Sequence, residues 1–192
     1  MSSVNSMNAM SAGKTHVTHD THHIQIVLSY SRRDAQNGCV ELIAAATPEQ
    51  VAMARRLFEE YAAWLAVDLC FQGFTEELAG LPGVYAPPRG RLFLATDSEE
   101  LAGCVALRPV DDDVCEMKRL YVRPAFQRRG IGKALVQRTI AEARIIGYSR
   151  MVLDTLASME PALCLYESFG FAHCAAYYKT PLDETVFLEM KL

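Results

Sequence analysis

The sequence predicts a mixed α/β fold, a twisted sheet with helices packed on it, on three observations. Short apolar strands alternate with single helices over the second half of the chain. Three strands joined by tight polar turns occupy the middle, and the first helical stretch carries a single apolar face. At 192 residues, 51% hydrophobic and 22% charged, the chain suits one domain with a sizeable core. Its net charge of −4 gives no reason to expect nucleic acid as a partner. No apolar run reaches the roughly 18–20 residues that a membrane span needs. The six cysteines are far apart and form no Cys-x-x-Cys pair, which fits a reduced cytoplasmic protein.

The elements follow in order. Residues 1–38 are rich in Ser, Thr, Asn and His and read as a flexible N-terminal tail, without a secretory h-region. The tail's His16, His19, His22 and His23 lack a scaffold and are not taken as a metal site. A short strand spans 40–43. Thr47-Pro48-Glu49-Gln50 then opens a helix as N-cap, first-turn proline and capping-box glutamine. Val51, Ala54, Leu57, Phe58, Tyr61, Ala62 and Leu65 line that helix's apolar face. A second helix is expected over 74–81, stopped by Pro82-Gly83. Strands at 91–95, 103–107 and 115–122 make the meander, and Asp111-Asp112-Asp113 reads as a solvated hairpin tip rather than a metal site. A helix after Pro124 ends at Gly147, a strand spans 151–154, a helix 159–169 ends at Gly170, and strands at 171–177 and 186–192 close the chain.

The densest chemistry lies between Lys118 and Lys133, where a strand runs into a turn and the glycines Gly130 and Gly132 open a helix. Free N–H groups at a helix start point outward, and the helix dipole adds roughly half a positive charge there. Glycine lets a phosphate approach the backbone. Six basic residues (Lys118, Arg119, Arg123, Arg128, Arg129, Lys133) crowd the same stretch of an acidic chain. These residues fit an anion-binding turn, or alternatively a helix start with a solvated basic face. The third glycine of a dinucleotide fingerprint is missing, as is the Gly-Lys-Ser/Thr of a phosphate loop.

Gln127-Arg128-Arg129-Gly130-Ile131-Gly132 resembles the Gln/Arg-x-x-Gly-x-Gly/Ala signature of the GCN5-related N-acetyltransferase (GNAT) superfamily. Leu165-Tyr166-Glu167-Ser168-Phe169-Gly170-Phe171 resembles its second landmark, a Tyr four residues before Gly-Phe, and the order of elements is similar over residues 39–192. The resemblance implies an N-acetyltransferase domain there and an acyltransferase of class EC 2.3.1.-, with acetyl-CoA as co-substrate and no metal. Amides from Arg128 to Lys133, with Gln127 beside them, would cradle the coenzyme A pyrophosphate. Leu120, Tyr121 and Val122 would run beside the pantetheine, one of their N–H groups polarising the thioester carbonyl. The strand carrying them is expected to splay from the next, opening a wedge for the cofactor, with the acceptor entering from the opposite side.

Two catalytic residues are implied in the same way. Glu116 matches the position of the family's carboxylate base, the alternative being an outward-facing glutamate paired with an arginine. Tyr166 matches the acid that protonates the departing thiolate, the alternative being a core aromatic. A base has work to do, because a lysine-like amine with a pKa near 10.4 costs about 4.6 kcal/mol to deprotonate at pH 7. The sequence departs from the family pattern before Tyr166, where many relatives carry an Asn. Ser158 could cap the helix or bond the cofactor there, but Met159 cannot replace an amide.

The expected function is direct transfer of an acetyl group from acetyl-CoA to a primary amine of a small molecule or peptide. The alternatives are another acyl-CoA or an oxygen nucleophile on the same fold, or an acyl-CoA-binding module without turnover. Neither a nucleic acid nor a membrane is expected as partner. Self-association, including a homodimer, is left open by the sequence, as is the identity of the acceptor.

Overall fold

The computed structural model describes residues 31–34, 37–65 and 73–192, with side chains from residue 39 onward. Eight strands form one mixed sheet in the order β1-β2-β3-β4-β5-β6-β8-β7. They are β1 (Ser31–Asp34), β2 (Asn37–Ala44), β3 (Arg91–Asp97), β4 (Glu100–Pro109), β5 (Val114–Val122), β6 (Arg150–Leu156), β7 (Ala172–His173) and β8 (Thr185–Lys191). The helices are α1 (Pro48–Leu65), α2 (Phe74–Gly80), α3 (Ile131–Ile146) and α4 (Glu160–Ser168). The mixed α/β expectation holds. β1 lies within the range read as a tail and pairs with β2, while the histidine tract lies outside the described residues.

Each face of the sheet is covered by a different pair of helices. On one face, Ile131, Leu135, Val136, Ile140 and Ala143 of α3 and Tyr166 of α4 pack on Phe93, Val105, Met117 and Leu153. On the other, Ala54, Leu57 and Phe58 of α1 pack on Leu92, Leu94, Ala106 and Tyr121. The capping box is present: the Gln50 amide N–H donates to Thr47 Oγ1 at 3.3 Å, and the Thr47 N–H donates to Gln50 Oε1 at 3.0 Å. The aspartate triplet is a hairpin tip, in which Asp111 Oδ1 accepts from the amides of Asp113 and Val114 at 2.9 and 2.7 Å.

The strand expected at 171–177 shrinks to Ala172–His173. Beyond it the chain places Tyr177 and Tyr178 against Phe187, with ring centroids 5.1 and 5.2 Å away. Tyr177 donates its hydroxyl to Glu116 at 2.8 Å. Aromatic packing and a partly buried hydrogen bond replace the ladder that alternation predicts.

Two irregularities of β5 position everything that follows. Its parallel ladder with β6 consists of Val114↔Arg150, Cys115↔Met151 and Glu116↔Val152, and then ends. Its antiparallel register with β4 shifts between Cys104↔Tyr121 and Ala106↔Lys118, so that Arg119 and Leu120 together oppose Val105. This is a β-bulge, with Arg119 at φ 57°. Gly103 makes the neighbouring pairing feasible, because a Cβ there would lie 2.4 Å from the Tyr121 carbonyl oxygen. Gly103→Ala is expected to destabilise the protein by about 2–3 kcal/mol, a melting-temperature loss of roughly 5–10 °C in a scanning calorimeter.

Candidate active site

Where β5 and β6 part, a cleft opens, lined among others by Tyr61 of α1, Met117 to Leu120 of β5, Asp154 and Thr155 of β6, Met159, Tyr166 of α4, and Tyr178. The expected wedge is therefore present, and Leu120 and Tyr166 both face it. Leu120 sits at the bulge, where the regular ladder with β4 is interrupted. Tyr121 points to the other face and packs on Tyr61 and Trp64, with centroids 5.9 and 6.1 Å away. Val122 accepts a hydrogen bond on its carbonyl from Gln127 Nε2 at 3.1 Å, which ties the glycine turn to the end of β5.

The turn is built as an open cradle. Arg128 and Gly130 hold φ of 63° and 79°, and Gly130 is the N-cap of α3 with no side-chain cap. The first-turn amides of Ile131, Gly132 and Lys133 therefore have no intrahelical acceptor. The basic cluster is less available than its sequence suggests. Lys118 pairs with Asp154 at 2.7 Å, Arg119 with Glu77 at 2.5 Å, Arg123 with Glu60 at 2.6 Å and Arg129 with Asp97 at 3.0 Å. Arg128 and Lys133 lie on the surface. Ser158 is also exposed and does not cap α4, whose N-cap is Met159. Met159 lines the cleft instead, its sulfur 3.6 Å from Thr155 Oγ1.

Burial raises the Tyr166 hydroxyl above the usual phenol range, and the neighbouring Tyr61 and Asp154 add to that. The phenol is therefore protonated at neutral pH. Tyr61, also on the cleft, is pushed up to about 12, chiefly by burial. Cys164 is exposed on α4 and does not line the cleft.

Glu116 lies early in β5, as the resemblance implied. It is 1% exposed, and both its oxygens are engaged: Oε2 by Arg108 at 2.6 Å, Oε1 by Tyr177 at 2.8 Å and by Lys118 at 3.5 Å. It does not line the cleft. The carboxylate on the cleft wall is Asp154, which sequence reasoning missed because a lone aspartate in an apolar strand carries no motif. Burial alone would raise its carboxyl, but the charge and hydrogen bond of Lys118, with a hydrogen bond from Tyr178, hold it below the usual carboxylate range. Glu77 behaves alike, burial being outweighed by Arg119.

These two buried carboxylates, lowered despite their burial, make stability depend on acid. A folded-state value below the unfolded one means that the unfolded chain binds more protons at intermediate pH. Their contribution is therefore complete above about pH 5 and is lost as pH falls through the lower folded values. Urea midpoints are expected to drop steeply below pH 4, and Glu77→Gln should flatten that slope.

The sequence profile of the Acetyltransferase (GNAT) family matches residues 56–171, more than half of the chain. An uncharacterized N-acetyltransferase of Schizosaccharomyces pombe is 38% identical over 155 residues, covering 80% of this chain and 95% of the relative. One from Dictyostelium discoideum is 34% identical over 75% of this chain and 95% of the relative. Among solved structures, a GNAT-family acetyltransferase of Staphylococcus aureus superposes with a TM-score of 0.66 at 17% identity, over 79% of this chain and 98% of that one. A GNAT-family acetyltransferase of Elizabethkingia anophelis, solved with acetyl-CoA bound, superposes with a TM-score of 0.54 at 23% identity, over 80% of this chain and 98% of that one. The profile and the relatives together define an acyltransferase of the GNAT type. The chain belongs to the GNAT family, and its activity is that of an N-acetyltransferase. Among the described residues, no helix is long and apolar enough to cross a membrane.

Proposed function

We propose that the protein transfers the acetyl group of acetyl-CoA directly to a primary amine of a small molecule or peptide. The observation that carries the reading is the cleft where β5 and β6 part, lined by Tyr166 and Leu120 together with Tyr61, Asp154 and Tyr178. The amides at the start of α3 would hold the pyrophosphate, with Arg128 and Lys133 as nearby surface cations. The arm would lie along Leu120 to Val122, and a bulge N–H would polarise the thioester carbonyl.

Attack by the amine forms the C–N bond and breaks the C–S bond. The departing thiolate takes its proton from Tyr166, and the nitrogen's surplus proton restores the phenol. The acceptor's first proton leaves to solvent. Direct transfer needs no covalent enzyme intermediate, in keeping with Cys164 standing away from the cleft.

The test is release of free thiol from acetyl-CoA across amino acids, polyamines, aminoglycosides and peptides. Release coupled to an acetylated amine is expected. Tight acetyl-CoA binding without release from any of them would favour a binding module.

A further inference from the structure

Two carboxylates stand near the split between β5 and β6, and their surroundings divide their roles. The last ladder pair is Glu116↔Val152. Two residues further along each strand stand Lys118 and Asp154, and they meet across the gap, Nζ to Oδ1, at 2.7 Å. This ion pair spans the split at the point where backbone pairing has ended. Glu116 lies behind it, held by Arg108, Tyr177 and Lys118, with no face on the cleft. Asp154 has its side chain 15% exposed and lines the cleft with Leu120 and Tyr166.

We propose that Asp154, in place of Glu116, is the carboxylate that holds the acceptor nitrogen for attack, while Glu116 is a strut that fixes Lys118. The inference rests on the acetyl-transfer reading above. A carboxylate offers about four lone-pair sites. Lys118 and Tyr178 account for two of Asp154's, which leaves capacity for an N–H of the acceptor. An ammonium arriving there meets a neutral pair rather than a bare cation, since Lys118 is already compensated. It then gives one proton to solvent through the cleft mouth. The amine stays hydrogen-bonded to Asp154 with its lone pair free to form the bond to the carbonyl carbon. Because Asp154 is held ionised by Lys118, it orients the nitrogen and does not store the proton.

The experiment compares Asp154→Asn with Glu116→Gln, using the best acceptor among spermidine, free amino acids, kanamycin and a short peptide with a free N-terminus. Asp154→Asn is expected to lower kcat/KM about 100-fold, with coenzyme A affinity by calorimetry within about twofold of wild type. Glu116→Gln should cost less than about tenfold while lowering the melting temperature more. Should the single aspartate variant unfold, Asp154→Asn with Lys118→Gln removes both charges together. That pair should fold and show the same loss. A folded Asp154→Asn protein with near wild-type kcat/KM, or a larger loss in Glu116→Gln, overturns the assignment and leaves the acetyl-transfer reading standing. Failure of that reading has a different signature, a wild-type protein inert toward every amine.

Discussion

Tyr166→Phe is expected to lower turnover by about 10²–10⁴-fold while acetyl-CoA affinity and melting temperature stay close to wild type. The substitution keeps the ring, and with it the edge contact to Phe171 at 5.8 Å and the packing under α4. Only the hydroxyl is lost, from a residue that lines the cleft and whose phenol burial keeps protonated. A raised phenol is a weaker acid in the resting state, so the proton must move as the C–S bond breaks and negative charge grows on sulfur. The loss should therefore fall on kcat more than on KM. Steady-state kinetics with acetyl-CoA and the best acceptor, beside calorimetry of coenzyme A binding, separate the outcomes. A fall in melting temperature with an unchanged rate would make Tyr166 a core aromatic and nothing more.

How much of this could be read from the residues depends on how local the cause is. The α1 capping box, the apolar face of α1 and the Asp111 hairpin tip are set by neighbours three or four residues apart, and each is visible in the chain itself. The wedge and its tyrosine follow from motifs that the family resemblance locates. The charges were not legible in the same way. Of six basic residues between Lys118 and Lys133, four are committed to carboxylates at Asp154, Glu77, Glu60 and Asp97. Those partners lie on other elements, 32 to 63 positions away in sequence. A crowd of positive charge in the sequence is thus partly a set of struts joining β5 and the turn to α1, α2, β3 and β6. Asp154 was missed for the same reason. It becomes a cleft residue only because β5 and β6 pair for three residues and then separate, a long-range event that no local pattern encodes.

Gly132→Asp is expected to weaken coenzyme A binding by more than about a hundredfold and yet leave the fold as stable as wild type or slightly more so. Two effects of opposite sign support this. Position 132 is the second residue of α3, and a carboxylate there interacts favourably with the positive end of the helix dipole, worth about 0.3–1 kcal/mol. A Cβ at this position would lie 3.7 Å from Leu165 Cδ2 and 3.8 Å from Val122 Cγ2, which is ordinary contact, so the side chain can be housed. It would, however, stand where, on the proposed reading, the first-turn amides hold the pyrophosphate. Two like charges about 4 Å apart repel by about 4 kcal/mol at an effective dielectric constant near 20, enough for the loss expected. Gly130→Asp is the less clean test, because Gly130 holds φ 79° and any side chain there adds backbone strain. Gly132→Ala separates crowding from charge: it should fold at least as well and bind coenzyme A more tightly than the aspartate variant. Titration calorimetry with coenzyme A and a thermal melt of each protein read the two effects independently. A folded Gly132→Asp protein with wild-type affinity would move the phosphate site away from the start of α3.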